Sequence, residues 1–296
     1  MTDSTPQQLQ ACAEQLTQSG QYQVLSKLAA KTQFNSPIDD RPLHKVCIID
    51  TETTGLDTQV CEIIELGYQI IEFDSHGHLY RVLSAQNFLN EPNGEISAEV
   101  TQVTGLTLAD VQGHRIPWDT VAADLADVQL CVAHNAGFDR PVLERHDPVF
   151  ITKIWGCSVA QIDWQNLAQV SSRSQEFLCW KVGQFFYGAH RALDDVQALC
   201  QLLSQPISTE ARPALHYLLQ AVRQPKSLLK ATGAPFDLKD ALRSRGYRWN
   251  ANERVWQILL DEPKLQTELA WLIEHNTPNP KVIKLSATDS FSVRAG

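Results

Sequence analysis

The stretch Val46-Cys47-Ile48-Ile49-Asp50-Thr51-Glu52-Thr53-Thr54-Gly55-Leu56 governs how the rest of the chain is read. Four apolar residues run into Asp-x-Glu, the pattern of a buried strand whose last residues carry two carboxylates. Strand side chains alternate in direction, so Asp50 and Glu52 fall on one face at its edge. Two adjacent acids repel, and a strand that ends this way has something positive to hold, for which a divalent cation is the natural candidate. Taken alone, the pair reads first as solvated acids before a Thr-Thr-Gly turn. Partners elsewhere in the chain have to decide.

The chain has 296 residues, 43% of them hydrophobic and 20% charged, enough for a main domain with appendages and a sizeable core. Seven widely spread cysteines with no Cys-x-x-Cys pair argue against a disulfide framework and a zinc knuckle. The first residues, Met-Thr-Asp-Ser-Thr-Pro-Gln-Gln, lack a basic segment followed by an apolar one, and no run approaches a membrane span. The expectation is a cytoplasmic protein with no membrane partner. Net charge is −9, unevenly spread. Between Arg212 and Arg254 nine basic residues face three acidic ones, a local +6 that leaves −15 for the remainder. An acidic body beside a basic segment suits a protein that holds cations in one place and polyanions in another.

Residues 1–42 are Gln-rich, with helix-like apolar spacing at Leu9, Cys12 and Leu16 and again at Val24, Leu25 and Leu28, and predict two short helices broken at Ser19-Gly20. Beyond the strand into Asp50, Cys61–Phe73 and Leu79–Phe88 read as two strands joined by a turn at Asp74–His78. Ser97–Gly105 and Trp118–Ala126 read as helices, and Val128–Ala133 as a buried strand. Three antiparallel strands followed by helix and strand alternation give an α/β fold with a mixed central sheet and flanking helices. The next segment, His134-Asn135-Ala136-Gly137-Phe138-Asp139-Arg140-Pro141, enters a helix. Pro141 belongs in a first turn, so the helix is expected to begin near Asp139, at the carboxyl edge of a strand. A further helix is expected over Phe177–Phe186. His190 precedes an amphipathic helix with Asp194 and Asp195 in its first turn.

Four carboxylates now have compatible settings. Asp50-x-Glu52-Thr53-Thr54-Gly55, His134-Asn135-Ala136-Gly137-Phe138-Asp139 and His190-x-x-x-x-Asp195 resemble, in order and spacing, the three motifs of the DEDDh 3′-to-5′ exonucleases, the RNase H-like family of the polymerase III epsilon proofreading subunit. The resemblance covers residues 46 to 204. It implies Asp50, Glu52, Asp139 and Asp195 as ligands of two divalent cations, Mg²⁺ or Mn²⁺, with Asp50 shared between them, and His190 as general base. It also implies that the backbone of Thr51, Thr53, Thr54 and Gly55 lies under the 3′-terminal nucleotide, with His134, Asn135 and Phe138 close by.

The expected organisation is a helical extension over residues 1–42, an exonuclease domain over 43–206, a basic helical linker over 207–232 and a small α+β module over 233–296. Within that module a helix over Leu238–Arg245 leads to a hairpin from Gly246-Tyr247-Arg248-Trp249 to Val255–Leu260. A second helix, Leu265–Ile273, and a strand over Val282–Phe291 follow. The hairpin is similar to small modules appended to some annealing helicases. Tyr247, Trp249 and Trp256 read either as its core or as a stacking surface, while Arg243, Arg245, Arg248, Arg254 and Trp249 are candidates for holding a strand. The expected partner is single-stranded or 3′-ended nucleic acid, DNA ahead of RNA, with a polymerase or repair complex as protein partner. The rival readings are an RNA 3′-end trimming enzyme with the same site and a catalytically silent nucleic-acid-binding module.

Overall fold

A computed structural model describes residues 5–36 and 41–295. The central sheet has five strands: β1 (His44–Thr53), β2 (Ile63–Phe73), β3 (Leu79–Leu89), β4 (Leu130–Ala133) and β5 (Ile154–Cys157), in the order β3-β2-β1-β4-β5. β2 is antiparallel to both of its neighbours, β1 and β3, and β4 and β5 run parallel to β1, which gives the mixed sheet expected from the sequence.

The apolar run of β1 is buried on both faces, and residue parity sorts it between two cores. Val46 and Ile48 pack with Val132 against α5 (Ala192–Leu203) and α6 (Ala214–Arg223). Cys47 and Ile49 pack on the opposite side with Val121 and Leu125 of α3 (Trp118–Leu125) and with Val142 and Leu143 of α4 (Ala136–Glu144). By the same parity Asp50 and Glu52 project toward the α5 side, and Thr51 toward the α4 side. This sorting decides which helix meets which acid.

α4 starts at Ala136, three residues earlier than Pro141 suggested. The proline sits inside the helix, where it cannot donate to the carbonyl of Gly137; that residue is exposed, so water can take the unmade bond. The second N-terminal helix is replaced by extended chain. Ser26–Lys27 pair in parallel with Phe185–Phe186, because Leu28 donates its N–H to the Phe186 carbonyl at 2.8 Å and its side chain joins the core. The first helix, α1 (Pro6–Gln18), is capped by Thr5 and Gln8, and its Leu9 and Leu16 stay 59% and 42% exposed. Over 175–186 the expected helix is a short α-turn, Gln175–Leu178, followed by a wide turn, Cys179–Gly183, which frees Phe185 and Phe186 for that pairing. No helix among the described residues is long and apolar enough to cross a membrane.

Within residues 207–232, α6 buries Leu215, Leu218 and Leu219 in the core under the central sheet, and β6 (Lys226–Lys230) enters a second sheet. That sheet also contains β7 (Arg248–Asn250), β8 (Val255–Asp261) and β9 (Lys281–Lys284), in the antiparallel order β7-β8-β6-β9. α7 (Lys239–Ser244) and α8 (Glu262–Glu274) cover one face around Leu229, Leu242, Tyr247, Leu260, Leu265 and Leu272. The last strand stops at Lys284, short of the expected Phe291. Residues 286–294 turn back onto α4 instead, drawn by Arg140. The Arg140 side chain is fully buried and donates to the carbonyls of Thr288 (2.6 Å) and Ser290 (2.7 Å) and to the Glu144 carboxylate (2.7 Å). Ser292 and Arg294 complete the clasp on Glu144.

Candidate active site

The register of β1 on β2 sets Asp50 opposite Gly67 and Glu52 opposite Glu65. Gly67 is where α5 comes closest: a Cβ there would lie 2.5 Å from the backbone of Ala192 and Leu193. Glu65, fully buried beside it, accepts the Ala192 N–H at 3.1 Å and takes the Arg191 guanidinium at 2.8 Å. Burial opposes its ionisation, but Arg191, Asn87 and the Ala192 N–H outweigh it and hold its carboxyl below the ordinary value. The start of α5 is thus fixed to β2, one turn before Asp195.

Asp195 accepts hydrogen bonds from the Tyr187 hydroxyl (2.8 Å), the Gln175 amide (3.2 Å) and the backbone N–H groups of His190 (2.7 Å) and Arg191 (3.2 Å). One oxygen each of Asp50, Glu52 and Asp195 lie within 4.8 Å of one another. Asp139 arrives from the other face, as the parity of β1 requires. Its buried carboxylate accepts from the Thr51 N–H (3.1 Å) and hydroxyl (2.8 Å). These four acids, with Thr51, His134, Asn135, Phe138 and His190, line one open cleft of about 370 Å³.

The electrostatics are those of an uncompensated anion cluster. Desolvation raises the Asp50 carboxyl well above its usual range, and Asp139, Asp195 and Glu52 raise it further. Desolvation, then Asp195, pushes Glu52 up to about 8. Burial brings Asp139 to about 7 despite its bonds from Thr51. Asp195 is raised by burial against its hydrogen bonds. Among the described residues neither Asp50 nor Glu52 has an ion pair or a side-chain hydrogen bond, and oxygen donors of one sign without a counter-charge suit hard divalent cations.

His190 lies at the exposed rim with φ +68°, a left-handed conformation uncommon outside glycine, and its backbone is tied to Asp195. His134 is held by its Nε2 on the Arg173 carbonyl at 2.9 Å, and burial lowers its pKa to about 4, so it is a neutral strut for the 171–175 loop. Thr53, Thr54 and Gly55 do not line the cleft: the Thr53 hydroxyl donates to the Gly55 carbonyl, and the Thr54 hydroxyl accepts from the Glu62 N–H. Arg243, Arg245, Arg248 and Trp249 sit on the second sheet and its helices. Arg245 is occupied there by Glu268 and the Trp271 ring, 4.3 Å from its centroid. Glu65 carried a legible signal, a carboxylate inside the apolar run Ile63–Leu66. Gln175 and Tyr187 had none, because their role depends on a turn that reaches Asp195 through space.

The profile of the Exonuclease family (RNase_T) matches residues 47–203. The chain belongs to that family. Among curated proteins this exonuclease is 29% identical over 168 residues to the PolC-type DNA polymerase III of Thermotoga maritima, covering 52% of the chain and 11% of that protein. It is 27% identical over 176 residues to the DNA polymerase III epsilon subunit of Treponema pallidum, covering 56% of the chain and 78% of the relative. Among solved structures it is similar to Exonuclease X in complex with 5′-overhanging duplex DNA, with 23% identity, a TM-score of 0.42, and coverage of 58% of this chain and 99% of the other. The match to the PolC-type polymerase thus spans about a tenth of that protein's length.

Proposed function

We propose that this protein is a 3′-to-5′ exonuclease that hydrolyses the terminal phosphodiester of single-stranded DNA and releases nucleoside monophosphates. The observation that carries the reading is the half-buried triad of Asp50, Glu52 and Asp195, without counter-charge, with Asp139 on the other wall and an exposed histidine at the rim. DNA is preferred to RNA because the curated relatives are a PolC-type DNA polymerase III and a DNA polymerase III epsilon subunit. Magnesium or manganese bound to these oxygens would activate water and neutralise charge on the attacking and leaving oxygens.

The chain's own residues supply the rest. Asp50 and Glu52 come from one rigid strand end, and Asp139 is aimed by two bonds from Thr51. His190 takes a proton from the attacking water at one imidazole nitrogen as the water oxygen bonds to phosphorus. The P–O3′ bond breaks, the leaving 3′-oxygen takes a proton from solvent to end as a hydroxyl, and His190 returns its proton to solvent. End-labelled single-stranded DNA and RNA, incubated with Mg²⁺ or Mn²⁺ and with an EDTA control, test the reading. DNA ladders shortening from the 3′ end are expected. RNA shortened in preference would move the substrate to RNA, and no shortening of either would overturn the activity.

His190→Ala is expected to lower kcat by about 10²–10⁴-fold while oligonucleotide binding is retained; unchanged turnover excludes the role. Glu65→Gln tests the anchoring of α5. Weakening its grip on Arg191 and Ala192 should displace Asp195 and His190 and lower kcat by about tenfold to a hundredfold, with KM little changed. A change in KM alone would mean that the pair acts on substrate binding and not on the geometry of the acids.

A further inference from the structure

The second sheet leaves part of its aromatic surface uncovered. Trp249 and Trp256 are cross-strand partners on the β7–β8 hairpin, their ring centroids 5.6 Å apart. Trp256 packs on the core of the module, whereas Trp249 is 51% exposed. Facing them is Phe236, just before α7, which is 78% exposed. Together they line a cleft of about 410 Å³, within the range of ligand sites. Two cations line it as well. Lys239 lies 4.5 Å from the centroid of the Phe236 ring, and Arg254 enters with φ +52°, an uncommon conformation for a side-chain-bearing residue.

Charge decides the occupant. Between residues 236 and 254 Arg245 is paired with Glu268, Arg243 with Asp240, and Glu253 with Lys230. Lys239, Arg248 and Arg254 are left without an ionic partner among the described residues, against a single free acid, Asp237. Exposed flat rings beside unpaired cations fit a ligand that alternates π-faces with anionic linkers. A lipid surface or an acidic peptide would use the cations but not the facing rings.

We infer that this cleft is a second nucleic-acid site, in which a base of single-stranded DNA stacks on Phe236 and Trp249 while Lys239 and Arg254 take the flanking phosphates. The choice of nucleic acid rests on the exonuclease reading, but the site lies outside the residues matched by the family and needs no metal. It keeps Trp249 and Arg254 from the sequence reading and replaces Arg245, whose guanidinium is already spent, with Phe236 and Lys239.

Binding of a fluorescein-labelled oligo-dT to the full chain in EDTA, followed by anisotropy, reads the site without hydrolysis. Phe236→Ala and Trp249→Ala are each expected to weaken binding about five-fold to a hundred-fold. Trp249→Phe should restore most of the loss, because a phenyl face still stacks. Both rings are exposed, so their truncation leaves the core intact; as a second probe on an unaltered ring pair, Lys239→Glu with Arg254→Glu should weaken binding and lower its salt dependence. A double ring variant that binds within twofold of the native chain overturns the site, even if the protein degrades DNA. Ring-dependent binding by a chain that hydrolyses nothing would leave the site standing and overturn the exonuclease reading instead.

Discussion

Glu52→Gln is expected to lose hydrolysis and yet to melt at a higher temperature than the native chain in EDTA. The acids at the end of β1 are held where burial and mutual repulsion disfavour their charge, with Glu52 pushed up to about 8 and Asp139 to about 7. Such carboxyls titrate near 4 in the unfolded chain. Between about pH 4 and 8 the folded protein therefore binds more protons than the unfolded one, and metal-free stability falls as pH rises through that window. An amide at position 52 removes one charge and relieves its neighbours. The gain should be on the order of 2 kcal/mol at pH 8, several degrees in Tm, and should shrink toward pH 5. Mg²⁺ should raise the Tm of the native chain more at pH 8 than at pH 6, because the ligands must be deprotonated to bind it. Calorimetry at the two pH values, with EDTA or Mg²⁺, checks this. A variant that melts lower in EDTA at pH 8 would mean that Glu52 is compensated by a neighbour and not waiting for a cation.

Removal of residues 286–296 is expected to cost about 3–5 kcal/mol and to lower activity, although none of the described ones lines the cleft of the four acids. The reason is Arg140, the neighbour of Asp139 on α4. Its buried guanidinium relies on the Thr288 and Ser290 carbonyls, and without them it keeps its pair with Glu144 but is left with unpaired donors, while Glu144 loses Ser292 and Arg294. A double-mutant cycle separates this effect from general unfolding. In an Arg140→Met, Glu144→Leu background the same truncation should cost much less, since neither a buried guanidinium nor a buried carboxylate then loses its partners. Equal losses in both backgrounds would show that the segment acts through other contacts, such as Phe291 in the α4-side core.

The acids were legible because they obey local rules. Period-two geometry pairs Asp50 with Glu52, and a loop-to-helix start carries Asp195 at a fixed offset from His190. The same periodicity, once the two cores are known, explains why Asp139 meets Thr51 and not Glu52. What could not be read depends on contacts remote in sequence. Arg191 finds Glu65 across 126 positions, and Tyr187 and Gln175 reach Asp195 from an irregular turn. Val24, Leu25 and Leu28 have helical spacing, yet an available strand at Phe185–Phe186 outweighed that weak local preference. Residues 286–291 read as strand from their composition, and a buried arginine on another element bent them into a clasp.

That clasp gives the second sheet two attachments to the exonuclease body, through α6 at one end and residues 286–294 at the other. A module hung from one flexible tether samples many orientations, and the strand it holds is offered to the cleft at a low effective concentration. Fastening both ends removes most of that freedom in advance, so the separation between the aromatic cleft and the acidic cluster becomes a property of the fold. If a strand occupies both, substrate length would act as a ruler: strands too short to bridge the two sites would gain nothing from the second, and the advantage would set in abruptly once the span is reached.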